Sequence, residues 1–315
     1  MKSLAVLLLL APLFTLGQGC SDAGFCTMGA MKPDQPYSKK VAVRLQSAEL
    51  SFYRGTTSLT PIIYVATADL NFSVKGKNTF QVKLPFQAIT GRLANTQGMG
   101  DISLCFTRNI YASDKFSVNL SFGGKIPTNR SDKATDTGLP LPMYYQTSLG
   151  TYDFISGISL INRKWLFATG IQLPLNNNNN QFVWSSWAGV PSDLKAYVDK
   201  YNQAKELKRG TDVMLRIERN FRFSKLNITA GLLPIYRITR DEFVRSGTEA
   251  NSQQTKISPD EASGLACSAI VTTGFSFNVR SGVRLLLGRK IVQRETNPDG
   301  LTREFVSSLT YVYRF

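Results

Sequence analysis

The chain has 315 residues, 43% of them hydrophobic, with 37 Lys and Arg against 22 Asp and Glu and a net charge of +15. It contains no His, which removes Ser-His and His-metal mechanisms and with them the main enzymatic reading, so neither an enzyme nor a cofactor or metal is expected. The basic residues are spread along the whole sequence, which argues against a nucleic-acid partner and leaves anionic lipid headgroups or an anion-favouring lumen as uses for the charge.

Lys2, the apolar run from Leu4 to Leu16 and the small residues around Gly17-Gln18-Gly19 predict a cleaved export signal over residues 1–19. The run is shorter than the roughly 20 apolar residues that a membrane-crossing helix needs. No later stretch of that kind exists, so a spanning form of this chain would have to be a closed barrel. Residues 20–40 read as a periplasmic N-terminal segment or a plug. Cys20 and Cys26 are close together in an exported chain and form a candidate disulfide. The alternative is lipidation of Cys20, and each excludes the other. Cys105 and Cys267 fall inside predicted strands and read as small wall residues.

From residue 41 the pattern is apolar–polar alternation bounded by Gly, Asn, Asp, Ser and Pro. It predicts about twelve strands: 41–54, 62–75, 79–90, 98–110, 115–126, 145–161, 164–175, 210–223, 226–238, 264–279, 281–293 and 303–315. In one of them Phe116, Val118, Leu120 and Phe122 alternate with Ser117, Asn119 and Ser121. The connections alternate in length. Short turns such as Asn162-Arg163 and Ser224-Lys225 are followed by longer segments such as 127–144, 176–209 and 239–263. An all-β, antiparallel transmembrane barrel with short periplasmic turns and long outer loops has this sorting, and the even strand count returns the chain to its starting side. Aromatic residues including Tyr111, Phe116, Trp165, Phe221, Phe275 and Tyr311 gather beside the short turns, as a girdle at a lipid boundary would.

Among the long segments, 127–144 and 239–263 read as mobile surface loops. The Asn176–Asn180 tract reads as solvated. After it, Ser192 is placed to cap a helix carrying Leu194, Tyr197, Val198 and Tyr201 on one face, either folded over the barrel mouth or lying on its rim. With the apolar face toward lipid, the lumen receives charges of both signs. Lys83, Asp101, Arg216, Glu218, Arg222 and Arg284 are the candidate lining, and Arg216, Arg222 and Arg284 the candidate contacts to a permeating anion or polar solute. The last strand alternates Phe305, Leu309, Tyr311, Tyr313 and Phe315 with Glu304, Ser308, Thr310 and Arg314. Its end, Tyr311, Tyr313 and Phe315, is the candidate insertion signal. The partners it implies are outer-membrane lipid and the barrel-assembly machinery.

Gly98-Met99-Gly100-Asp101-Ile102-Ser103 opens one strand and Gly124-Lys125-Ile126-Pro127-Thr128 closes the next. Gly150-Thr-Tyr-Asp153-Phe opens another, and Gln172-Leu173-Pro174-Leu175 ends its partner. Over 98–175 this succession resembles the outer-membrane transporters named for the meta-pathway of phenol degradation, barrels related to long-chain fatty-acid channels. Met99 stands where that family usually has Leu. The resemblance implies passage of small hydrophobic or aromatic solutes and carries no binding residue with it. The expected function is therefore an outer-membrane channel or transporter, with a non-transporting barrel (adhesin, receptor or envelope scaffold) as the alternative. Neither the substrate nor the oligomeric state is written in the sequence.

Overall fold

A computed structural model of the chain describes residues 28–32, 44–57, 59, 61–74, 77–246 and 254–315. The expected export signal over residues 1–19 and the candidate disulfide of Cys20 and Cys26 lie outside the described residues. Twelve antiparallel strands close on themselves. They are β1 (Arg44–Thr56), β2 (Ile62–Val74), β3 (Asn78–Thr90), the interrupted strand β4 (Asn95–Met99) plus β5 (Ile102–Ala112), β6 (Phe116–Ile126), β7 (Asp153–Asn162) and β8 (Trp165–Pro174). The circuit continues through β10 (Asp212–Arg222), β11 (Leu226–Arg237), β14 (Gly264–Ser276), β15 (Ser281–Val292) and β16 (Phe305–Arg314). β16 then pairs with β1, from Ser47 opposite Arg314 to Thr56 opposite Phe305, and the Phe315 N–H donates to the Gln46 carbonyl at 3.1 Å. Closure pairs the wall strands on both sides except the short β4, which pairs with β3 alone, so the backbone N–H and C=O groups of the wall are largely satisfied within it.

The side chains are sorted inside out relative to a soluble protein. Phe52 is 57% exposed and Leu309 52%, while Asp69 is 3% exposed and Arg216 1%. An apolar exterior around a polar interior fits a barrel whose solvent is lipid. Among the described residues no helix is long and apolar enough to cross a membrane. Beside the short turns the aromatics pair on the outer face. Tyr111 and Phe116 lie 5.1 Å apart between ring centres, Trp165 stacks on Phe167 at 5.7 Å, and Phe275 meets Phe277 at 5.6 Å.

The long-loop end departs from the sequence-based expectations. The strand expected over 145–161 begins only at Asp153. Met143–Tyr145 forms a 3-10 turn instead, and Leu141, Tyr145 and Leu149 turn inward, because these apolar side chains find a dry neighbour in the barrel mouth. Gly150, at φ 70°, supplies the backbone geometry that returns the chain to the wall. The Asn tract is not solvated throughout. Asn178 and Asn180 are buried, and Asn180 donates to the carbonyls of Ser131 (2.8 Å) and Leu141 (3.1 Å). The segments expected as surface loops also contribute buried residues, Leu141 from one and Asp241 and Phe243 from the other. A small outer sheet joins β9 (Lys205–Lys208), β12 (Glu242–Arg245) and β13 (Thr255–Ile257). The helix α1 (Ser192–Val198) forms, but Pro191 occupies its N-cap and no side chain caps it, so Ser192 does not act as expected.

Candidate functional site

The lumen is filled at two levels. At mid-depth, residues 28–32 lie against the inner faces of β5 to β8. Met28 and Met31, both fully buried, pack with Cys105, Ile155, Met214, Leu233 and Ile270, all from inward-facing wall positions. This is a dry patch at mid-depth in a wall whose inward positions also include Asp69, Gln81, Arg216 and Glu218. Around it the contacts are polar. The Gly29 N–H donates to Gln81 Oε1 at 2.9 Å, and Arg216 donates to the Met31 carbonyl at 2.5 Å. Lys32 reaches Glu49 at 2.6 Å and Asp69 at 3.6 Å. A charge taken out of water needs such a partner, so these pairs fix where the segment sits.

The outer level is an aromatic cap. Tyr144, Tyr145, Phe182, Trp187, Tyr197 and Tyr201 form one buried cluster with Ile63 and Ile89, which face inward at the outer ends of β2 and β3. Helix α1 therefore packs into the mouth, not along the rim. The Tyr197 and Tyr201 hydroxyls are 2.8 Å apart, and Trp187 donates its ring N–H to the Pro140 carbonyl at 2.9 Å. Burial, reinforced by the hydroxyls of Tyr145 and Tyr197, pushes the Tyr201 phenol far up, so it stays neutral. Beneath the cap, Gln87, Asp101, Gln146, Ser148, Asp299 and Arg303 line part of a small polar pocket, with about 10 Å³ of space for a water-sized guest.

An ionic network bolts the cap to the wall. Arg237, at the outer end of β11, holds Asp212 at 2.7 Å, Asp241 at 2.6 Å and Asp299 at 2.8 Å. Arg209 pairs with Asp153 at 2.9 Å, and Asp101 accepts from the Ser148 hydroxyl at 2.5 Å and the Leu149 N–H at 3.1 Å. Burial opposes the charge of Asp299, but Arg237, Arg294 and Arg209 outweigh it and hold its carboxyl well below the ordinary range. Asp241 goes the other way: burial, with Asp299 repelling it, raises its pKa despite Arg237. Burial alone brings Arg303 down to about 9.

The residues singled out from sequence fall in several places. Lys83 lies 3.7 Å from Asp69 and Arg284 3.5 Å from Glu49, both in the lumen beside Lys32. Arg216 and Glu218 form a buried pair at 2.8 Å just below Met31. Asp101 sits higher, under the cap, 3.5 Å from Lys125. Arg222 is exposed, because it is the last residue of β10 and passes the rim instead of lining the lumen. Tyr311 and Phe315 face outward, and Phe315 meets Tyr313 edge-on at 5.0 Å. Sequence reasoning missed Met28, Met31, Arg209 and Asp299. The two Met residues belong to no periodic element, and the charged pair stands in loops whose polarity reads as solvation.

The sequence matches no family model and no curated protein. Among solved structures, an outer-membrane channel from Pseudomonas putida F1 is 12% identical and superposes on 90% of this chain and 99% of its own at a TM-score of 0.60. The likeness is one of fold, a closed antiparallel β-barrel of the outer-membrane type. The CymD monoaromatic hydrocarbon channel (10% identity, 96% of this chain and 95% of that chain, TM-score 0.42) and the Ralstonia pickettii toluene transporter TbuX (10%, 93% and 94%, 0.43) are also similar, at scores that add nothing to that statement.

Proposed function

We propose that the protein is a gated outer-membrane channel for small hydrophobic or aromatic solutes, of the kind exemplified by the meta-pathway transporters that residues 98–175 resemble. The observation that carries this reading is the dry mid-lumen patch of Cys105, Ile155, Met214, Leu233 and Ile270 under Met28 and Met31. A pore for hydrophilic solutes gains nothing from an apolar zone across its path. An apolar solute does, because each CH₂ it removes from water is worth about 0.8 kcal/mol. The two Met side chains are flexible and polarizable, suited to yielding before solutes of varied shape. The inner segment and the cap are then gates that open by moving off the wall while the wall itself stays intact.

The test compares purified wild-type protein with a variant lacking residues 28–32 in lipid vesicles. Expected are low ionic conductance for the wild type, raised conductance for the deletion, and faster entry of a fluorescent aromatic probe than of a sugar of similar size in both. The packed lumen and its buried ion pairs favour a second reading, a non-transporting envelope barrel. A deletion variant that admits neither probe nor ions would support that reading and end the first.

A further inference from the structure

Arg219 is a charge on the wrong side of the wall. It lies between Ile217 and Phe221 on the outward face of β10, opposite Trp165 of β8. Its guanidinium stands 5.0 Å from the centre of the Trp165 ring and 5.7 Å from that of Phe221, and Trp165 in turn stacks on Phe167. Aromatic faces orient a guanidinium and stabilise it, but they do not neutralise it. No carboxylate among the described residues forms an ion pair with Arg219. The surroundings add positive charge. Arg163 and Lys164 precede Trp165, Arg222 and Lys225 frame the neighbouring turn, and the Asn220 N–H ties the two turns together through the Lys164 carbonyl at 2.7 Å. Across the described residues of the short turns, Asp114 is the one acidic side chain.

A cation within the aromatic belt of a lipid-facing wall needs an anion supplied by the surroundings. A headgroup phosphate matches the planar donor fork of arginine, and acyl chains match the Phe167 and Leu215 surface that continues toward mid-membrane. We propose that the short-turn rim over β8 and β10 is a binding site for an anionic phospholipid of the facing leaflet, its phosphate seated on Arg219 and its headgroup within reach of Lys164 and Lys225. This goes beyond the channel reading and depends only on the barrel lying in a membrane.

The experiment uses the full mature chain in phosphatidylethanolamine vesicles containing a small fraction of brominated-acyl phosphatidylglycerol or, in parallel, brominated-acyl phosphatidylethanolamine. Bromine quenches nearby indoles. Trp165 faces the lipid, whereas Trp184 and Trp187 belong to the cap and give a constant background. Quenching is expected to favour phosphatidylglycerol and to weaken in high salt. Arg219→Gln is expected to cut the preference about fivefold, the factor for one basic residue at a membrane surface. A Lys164→Gln/Lys225→Gln double variant leaves the aromatic contacts alone and should lower the preference in the same direction if Arg219→Gln does not fold. Equal quenching by the two lipids in the wild type, or an undiminished preference in folded Arg219→Gln, overturns the proposal. Stronger competition by lipid A than by phosphatidylglycerol overturns it too. Channel conductance is recorded on the same vesicles, so loss of the lipid preference and loss of transport are read separately.

Discussion

The two ends of the barrel spend the same basic composition in opposite ways. At the long-loop end, charges are turned inward and paired: Arg237 alone bridges Asp212, Asp241 and Asp299, all of them buried. At the short-turn end, Lys115, Arg163, Lys164 and Lys225 are exposed and make no ion pair among the described residues. The difference follows from what each end must do. Loops long enough to fold back over the mouth can bring acid to base and seal it. Two- to four-residue turns cannot reach across, so their charges face the headgroups and water beside them. Mutations at the two ends should therefore differ in kind.

The largest effect belongs to the hub. Arg237→Met leaves three carboxylates buried around a missing cation and is expected to cost roughly 3–5 kcal/mol, read as a lower denaturant midpoint in detergent. A midpoint within error of wild type would mean that the network is solvated and not structural. Next comes the inner anchor. Lys32→Met removes the contacts to Glu49 and Asp69, and the open-channel probability in planar bilayers should rise about tenfold, equivalent to roughly 1.5 kcal/mol for a charge-assisted contact. An unchanged probability would show that the Met pair and the backbone contacts to Gln81 and Arg216 hold the segment without Lys32.

Acid should loosen the outer cap. The folded pKa of Asp299 is depressed, so its contribution is complete above its unfolded value near 4 and drains away as the pH falls below that. Conductance should rise below about pH 4, and Asp299→Asn should remove that rise by opening the cap at every pH. Asp241 has the opposite sign, because its raised pKa favours the protonated form in the folded state. Asp241→Asn should therefore keep the acid response, and the pair of titrations separates the two carboxylates. The smallest effect is at the other end, where Lys225→Gln should shift stability by no more than about 0.5 kcal/mol.

The wall was legible in the sequence because a barrel strand has one rule: odd positions meet one solvent and even positions the other. That rule places Lys83, Arg216, Glu218 and Arg284 on the inner face before any coordinates exist. It fails at Arg222, where the strand outruns the rim. It is also silent about everything that folds into the lumen. Tyr144 and Tyr145 are adjacent, and both are buried because the cap surrounds them on two sides, which no alternation describes. Asn178 and Asn180 are inside because their amides satisfy loop backbone, a use that composition cannot separate from solvation. Residues 28–32 are too few to have a period, and what holds them is a wall assembled from strands spread along the chain, from Glu49 to Ile270.

The most direct test of the closed lumen is the reactivity of Cys105, which is 1% exposed beneath Met28 and Met31. Folded protein is treated with a water-soluble maleimide, and the labelled cysteine is located by peptide mass spectrometry. Cys105 should stay unlabelled in the wild type and react readily once residues 28–32 are deleted. Rapid labelling of Cys105 in the intact, folded chain would contradict the account, because the lumen would then be open at the level where the inner segment is said to fill it.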